Sequence, residues 1–253
     1  MRVAVFGATG AAGRRIVDAA TRRGHDVFAL SRATGVDVLV LGQVREALAG
    51  ADAVIDAVNT PTLHAQEATE FFRAAAANIV RASAEHGVTR VVALSIVGID
   101  RNPHGYYAGK LAQERVYADA SVSHTIVRAT QFHEFAGQIW SSGGWGPVHA
   151  VFPARLQPVD LGELAEILVD AVEDAEAGGI RHVAGPRVEE LPRLVKAWAR
   201  AAGHRGIRFP IPAATDQLKG MRDGANLPDA ALDAPLIVGT IDFDAWLATQ
   251  RTR

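Results

Sequence analysis

The chain has 253 residues, 49% hydrophobic and 21% charged, with 26 Lys and Arg against 28 Asp and Glu and no cysteine. This composition excludes a disordered or low-complexity chain, and the absence of thiols excludes disulfides, zinc–thiolate and iron–sulfur centres and cysteine nucleophiles. A formal charge of −2 argues against nucleic acid or a membrane surface as the main partner.

Taken in chain order, residues 3–6 read as a buried strand and 7–13 as a glycine loop. Residues 11–23 read as a helix with Ile16, Ala19 and Ala20 on one face, stopped by Gly24. Strands are expected at 26–30, 38–41 and 53–57, and a long Ala-rich helix at 63–85, closed by Gly87. A strand at 91–94 ends at Ser95; a helix at 107–118 and a strand at 124–127 follow. Beyond them the pattern predicts a helix at 131–142, a loop at 142–147, a helix at 160–174, a strand at 180–184 and helices at 188–202 and 241–249. Alternating strands and helices imply an α/β fold, a Rossmann-type doubly wound parallel sheet. We read one domain over 1–253, with a core at about 1–130 and a small C-terminal lobe built mainly from 131–253. No apolar run reaches the roughly 18 residues that span a bilayer, and the N-terminus does not read as a signal peptide, so a cytoplasmic protein is expected.

Gly7-Ala8-Thr9-Gly10-Ala11-Ala12-Gly13 follows a strand and opens a helix. Gly7 suits a tight turn, Gly10 lets backbone N–H groups reach a pyrophosphate, and Gly13 lets helix and strand pack closely. The helix start adds free donors and partial positive charge. A site for NAD would carry Asp or Glu at the end of the second strand. That strand instead ends Leu30-Ser31-Arg32. Arg14 sits in the first helical turn, where a cation is mildly disfavoured unless an anion is near. Arg32 and Arg14 therefore point to the 2′-phosphate of NADP(H), against the plain alternative of solvated surface arginines.

The chain has three Tyr, and its three Lys are Lys110, Lys196 and Lys219. Chance gives about 0.04 Tyr-x-x-x-Lys pairs in such a chain, so the pair Tyr106 and Lys110 carries weight. Four residues apart, they share a helix face. Ser95 ends a strand on the side where open α/β sheets bind ligands. These types suit carbonyl reduction: an ammonium lowers the phenol pKa, Tyr106 gives the proton, Ser95 bonds the carbonyl oxygen, and Lys110 also holds the nicotinamide ribose. Tyr107 is the local competitor for the acid role.

With these residues in view, the chain resembles the short-chain dehydrogenase/reductase superfamily, and within it atypical members related to NmrA-like NAD(P)-binding proteins. The matching runs are GATGAAG (7–13), SR (31–32), LSIVGID (94–100), YYAGKLAQE (106–114) and TIVRATQFHEF (125–135). The resemblance implies a Rossmann fold, a Ser–Tyr–Lys set and a substrate pocket formed by the C-terminal part.

Asn59, closing its strand, is expected to touch ribose or backbone, and Asp37 to lie by the adenine. Asn78 is expected either to anchor a water or lysine or to serve packing. Gln131, Phe132, His133 and Trp140 are expected to line the substrate pocket, with Trp145 and Phe152 as a further wall. No HxxxH or HExxH spacing occurs, so no metal is expected. Helix faces at 63–86 and 107–118 offer a homodimer seam, or else core packing. The leading expectation is an NADPH-dependent reductase of a small carbonyl, quinone or enone substrate. The alternatives are a non-catalytic NADP(H)-binding redox regulator and an epimerase or dehydratase that retains its nucleotide.

Overall fold

A computed structural model describes residues 1–229 and 234–250; parts of the C-terminal tail, 230–233 and 251–253, lie outside the described residues. The first half alternates as the sequence predicts. β1 (Arg2–Phe6) leads into α1 (Ala11–Arg22), β2 (Asp26–Leu30), α2 (Leu41–Leu48), β3 (Ala53–Asp56), α3 (Ala65–His86), β4 (Arg90–Ile96), α4 (Tyr106–Ala118) and β5 (His124–Ala129). The second half holds α5 (Phe135–Ser142), β6 (Gly144–Trp145), β7 (Val148–Val151), β8 (Arg155–Leu156), α6 (Leu161–Glu173) and β9 (Gly179–Ala184). It continues with β10 (Glu189–Glu190), α7 (Leu191–Ala201), β11 (Ile207–Pro210), α8 (Asp216–Arg222), β12 (Leu236–Val238) and α9 (Phe243–Gln250). Among the described residues no helix is long and apolar enough to cross a membrane.

Seven strands form one parallel sheet in the order β12-β9-β5-β4-β3-β1-β2. Chain order reverses at β1, which pairs with β2 on one side and β3 on the other. Ligands bind outside the carboxyl ends of strands at such a reversal. β3 is buried along its whole length, and β1 and β4 along all but one end, as strands covered on both faces must be.

Three elements differ from the pattern. Residues 38–41 form no strand: Val38 is buried, Leu39 and Val40 are exposed, and α2 begins at Leu41. A short apolar run carries no period of its own, and here it lies in a turn anchored from α3, where the Asn78 amide donates to Val38 O at 2.9 Å. This gives Asn78 the packing role. The expected loop at 142–147 is largely a hairpin: β6 pairs antiparallel with β7, and β7 runs parallel to β11. The helix expected from 131 starts at Phe135.

The chain divides into two compact units. The first comprises Met1–Ser95, Pro103–Arg128 and Leu161–Arg181; the second comprises Ile96–Asn102, Ala129–Asp160 and the chain from His182 onward. In the first, α6 packs along α1, where Arg22 meets Glu166 and Arg23 meets Asp170, both at 2.6 Å. In the second, Trp140 stacks on His149 with ring centroids 3.6 Å apart, and Trp145 is exposed.

Candidate active site

The glycine loop is glycine for steric reasons. Gly7 sits at φ +77°, and a Cβ there would fall 2.3 Å from Ala57 O. A Cβ on Gly13 would fall 2.0 Å from Gly7 O. Backbone occupies both spaces, so neither neighbour can yield cheaply. The Gly10 amide donates to Gly7 O at 2.9 Å, and the Ala8 amide to Leu30 O at 3.2 Å, which ties the loop to the end of β2.

α1 then starts with no side-chain cap and no acidic residue in its first turn. The amides of Ala11, Ala12 and Gly13 therefore have no intrahelical acceptor, and the positive end of the helix carries no countercharge. A helix start of this kind suits an anionic group such as a pyrophosphate. Thr9 is exposed, and its carbonyl accepts from the Arg14 guanidinium.

At the end of β2, Ser31 caps a short turn over Arg32–Thr34. Its hydroxyl accepts from the Thr34 amide at 3.3 Å, and its own amide donates to Thr34 Oγ1 at 2.8 Å. Arg32 is exposed, and its guanidinium has no hydrogen-bond or ion-pair partner among the described residues. The nearest carboxylate in sequence, Asp37, accepts from the Leu39 amide at 2.9 Å within its own turn.

Across the reversal point, Asn59 lies just past β3. Its Oδ1 accepts from the Thr60 amide at 2.7 Å and from the Tyr106 hydroxyl at 2.8 Å. Tyr106 opens α4, its ring edge-on to Phe72 at 5.4 Å. The expected lowering of its phenol is reversed. Loss of water around the ring, then the charges of Tyr107 and Asp56, push it well above its ordinary value. Tyr107, the competitor, is buried.

Lys110 is buried one turn along. Its Nζ donates to Leu94 O at 2.6 Å and to Gln113 Oε1, and lies 4.7 Å from the centre of the Phe72 ring. Burial brings its pKa down to about 8, against the raising influence of Asp56 and Glu114. Ser95, expected to face a substrate carbonyl, is 2% exposed and donates instead to Glu114 Oε1. Arg128 grips the same carboxylate through Nε at 2.9 Å and Nη2 at 2.7 Å. The carboxylate thus accepts the hydroxyl's hydrogen bond while the guanidinium pairs with both of its oxygens.

The sequence reading missed a second set of residues. Asp56, fully buried, accepts from Gln113 Nε2 at 2.6 Å, from the Tyr117 hydroxyl at 2.7 Å and from the Val58 amide at 3.1 Å. Its signal was present: a carboxylate inside the otherwise apolar run AVIDA. Gln113, Glu114 and Tyr117 repeat at helical spacing from Tyr106 and Lys110, which places polar side chains on one buried face.

Gln131, Phe132, His133 and Trp140 belong to the second unit. Phe132 bridges Val159, whose amide donates to Gln131 O. His133 is not a pocket donor here: it is 1% exposed, its Nε2 is 3.0 Å from Ile241 O, and its ring abuts Phe243 and Trp246. None of the four lines a 530 Å³ cavity of this unit walled by Glu134, Gly137, Trp198, Trp246 and Leu247 among others, nor a second one of equal volume walled by Val151, Arg208 and Pro210 among others. Among the described residues no cluster of three or more His, Asp or Glu is placed to hold a metal ion.

Comparison with known proteins agrees with the glycine-loop geometry. A family model described as NAD(P)H-binding matches residues 7–175. No curated protein matches the chain. Among solved structures, an NADPH-dependent quinone oxidoreductase from Escherichia coli, complexed with NADPH, is 16% identical, with 98% of this chain and 99% of that one covered and a TM-score of 0.72. A nucleoside-diphosphate-sugar epimerase from Staphylococcus aureus is 13% identical over the same shares, with a TM-score of 0.71. A triphenylmethane reductase from Citrobacter sp., complexed with NADP(H), is 13% identical, covering 91% of this chain and 93% of that one, with a TM-score of 0.66.

Proposed function

The chain belongs to the NAD(P)H-binding family, and from that premise we propose that it is an atypical short-chain dehydrogenase/reductase, an NADPH-dependent reductase of a small carbonyl, quinone or enone. The observation that carries the reading is the pairing of an uncapped α1 start with an unpartnered guanidinium at Arg32. The amides of Ala11, Ala12 and Gly13 would hold the pyrophosphate. Ser31 and Arg32 would take the 2′-phosphate, with Arg14 beside them, and Asn59 and Lys110 would face the ribose end.

NADPH, when bound, supplies a hydride. Tyr106 does the proton work: with its pKa raised, the phenol keeps its proton at neutral pH and delivers it to the carbonyl oxygen as charge develops there. For an aldehyde or ketone the oxygen becomes an alkoxide, a far stronger base than a phenolate, so the transfer runs downhill even from a weak acid. The quinone oxidoreductase and the triphenylmethane reductase that share the fold support reduction as the reaction class.

A second reading, a non-catalytic NADP(H)-binding regulator, draws on one observation: Ser95 spends its proton on Glu114 rather than on a substrate. The substitution Tyr106→Phe separates the two. A reductase loses about 10²–10⁴-fold in kcat with NADPH affinity unchanged. Wild-type turnover in that variant removes Tyr106 from the chemistry, and no NADPH oxidation by the unmodified protein over a carbonyl and quinone panel leaves the regulator standing.

A further inference from the structure

Lys110 is a buried cation whose hydrating water has been replaced by a specific set of groups. Leu94 O and Gln113 Oε1 each accept one N–H, and the face of Phe72 lies under the ammonium. The chain of contacts continues: Gln113 Nε2 donates to Asp56 Oδ2 at 2.6 Å, and Asp56 is itself held by Tyr117 and by the Val58 amide. Only one arrangement of these groups satisfies all of them. An ammonium only donates and a carboxylate only accepts, so the amide between them must turn its oxygen to Lys110 and its nitrogen to Asp56.

The charges balance in the same way. Glu114 is neutralised by Arg128 at 2.7 Å. Asp56 has no cation in direct contact among the described residues; the cation its network reaches is Lys110, across one amide. An uncompensated carboxylate at 0% exposure is costly, and so is a lone buried ammonium. Each supplies what the other lacks, and Gln113 spaces them.

We propose that Gln113 and Asp56 are positioning residues for Lys110: the amide fixes where the ammonium sits, and the carboxylate keeps it charged. The inference rests on the reading of Lys110 as the cation beside the cofactor, yet it is tested without turnover. The groups acting on this amine are Asp56 from β3, Glu114 from α4 with its Arg128 from β5, and the Phe72 ring from α3. With three lysines in the chain, and Lys196 and Lys219 exposed, a protein labelled at lysine Cε gives three resonances in an NMR titration.

In the unmodified full-length protein the resonance of Lys110 is expected to titrate near 8. Asp56→Asn, the same shape without the charge, should move that midpoint down by about one unit or more, and Gln113→Leu should also lower it. Tyr117→Phe keeps the carboxylate and should move it much less. With NADPH oxidation as a second readout, Asp56→Asn should pull the alkaline limb of the rate profile to lower pH by the same amount. An unchanged Lys110 midpoint in a folded Asp56→Asn or Gln113→Leu protein overturns the inference. A shifted midpoint with full activity in Lys110→Met would instead overturn the reading of Lys110 and leave the positioning pair intact.

Discussion

At the scale of single residues, the clearest chemistry lies in what Arg32 lacks. Its neighbours Ser31 and Thr34 are locked into a capped turn, while the guanidinium engages no described group. A planar, permanently charged fork held at a strand end beside the glycine loop suits a phosphate monoester. Arg32→Asp should therefore weaken NADPH about tenfold or more and strengthen NADH, since a carboxylate there bonds a ribose hydroxyl and repels a phosphate. Fluorescence titration with both nucleotides reads the change, and unaltered NADPH affinity would remove Arg32 from the site. Gly7 and Gly13 make the complementary point: their spaces are filled by backbone, so the loop's shape is fixed before any nucleotide arrives.

Between α3 and α4 the limiting contact is Gly109, where an added Cβ would lie 2.6 Å from the backbone carbonyl carbon of Ala68. α3 and α4 thus come into close contact with each other within the chain. The close approach holds Phe72 against both the Tyr106 ring and the Lys110 ammonium. Gly109→Leu would have to push apart a pair of helices whose backbones cannot yield, and should cost about 1–3 kcal/mol. In urea the midpoint should fall with the slope unchanged; an unshifted midpoint would show that the seam opens freely.

For the molecule as a whole, the sequence made the strands and the glycine loop legible because both are local. An apolar strand, three glycines and a helix start lie within a dozen residues. Residues 38–41 misled because four apolar residues in a row carry no period, and the hairpin at 144–151 was hidden by its glycines and proline. The wiring of the site was least legible. Ser95, Glu114 and Arg128 are 19 and 14 residues apart along the chain, and the link of Asp56 to Gln113 spans 57. Helical spacing showed that Tyr106 and Lys110 share a face, but not that this face turns inward onto other charges.

That inward polar face bears on the order of folding. α4 buries Lys110, Gln113 and Glu114 among Tyr107, Gly109 and Tyr117, so polar groups interrupt the apolar stripe that draws most helices into early collapse. It should dock late, onto a β3–β4 framework already formed. Stopped-flow measurements on Tyr117→Phe should then find faster unfolding with refolding almost unchanged, a φ-value near zero. Refolding slowed in full proportion to the lost stability would instead place this helix in the nucleus.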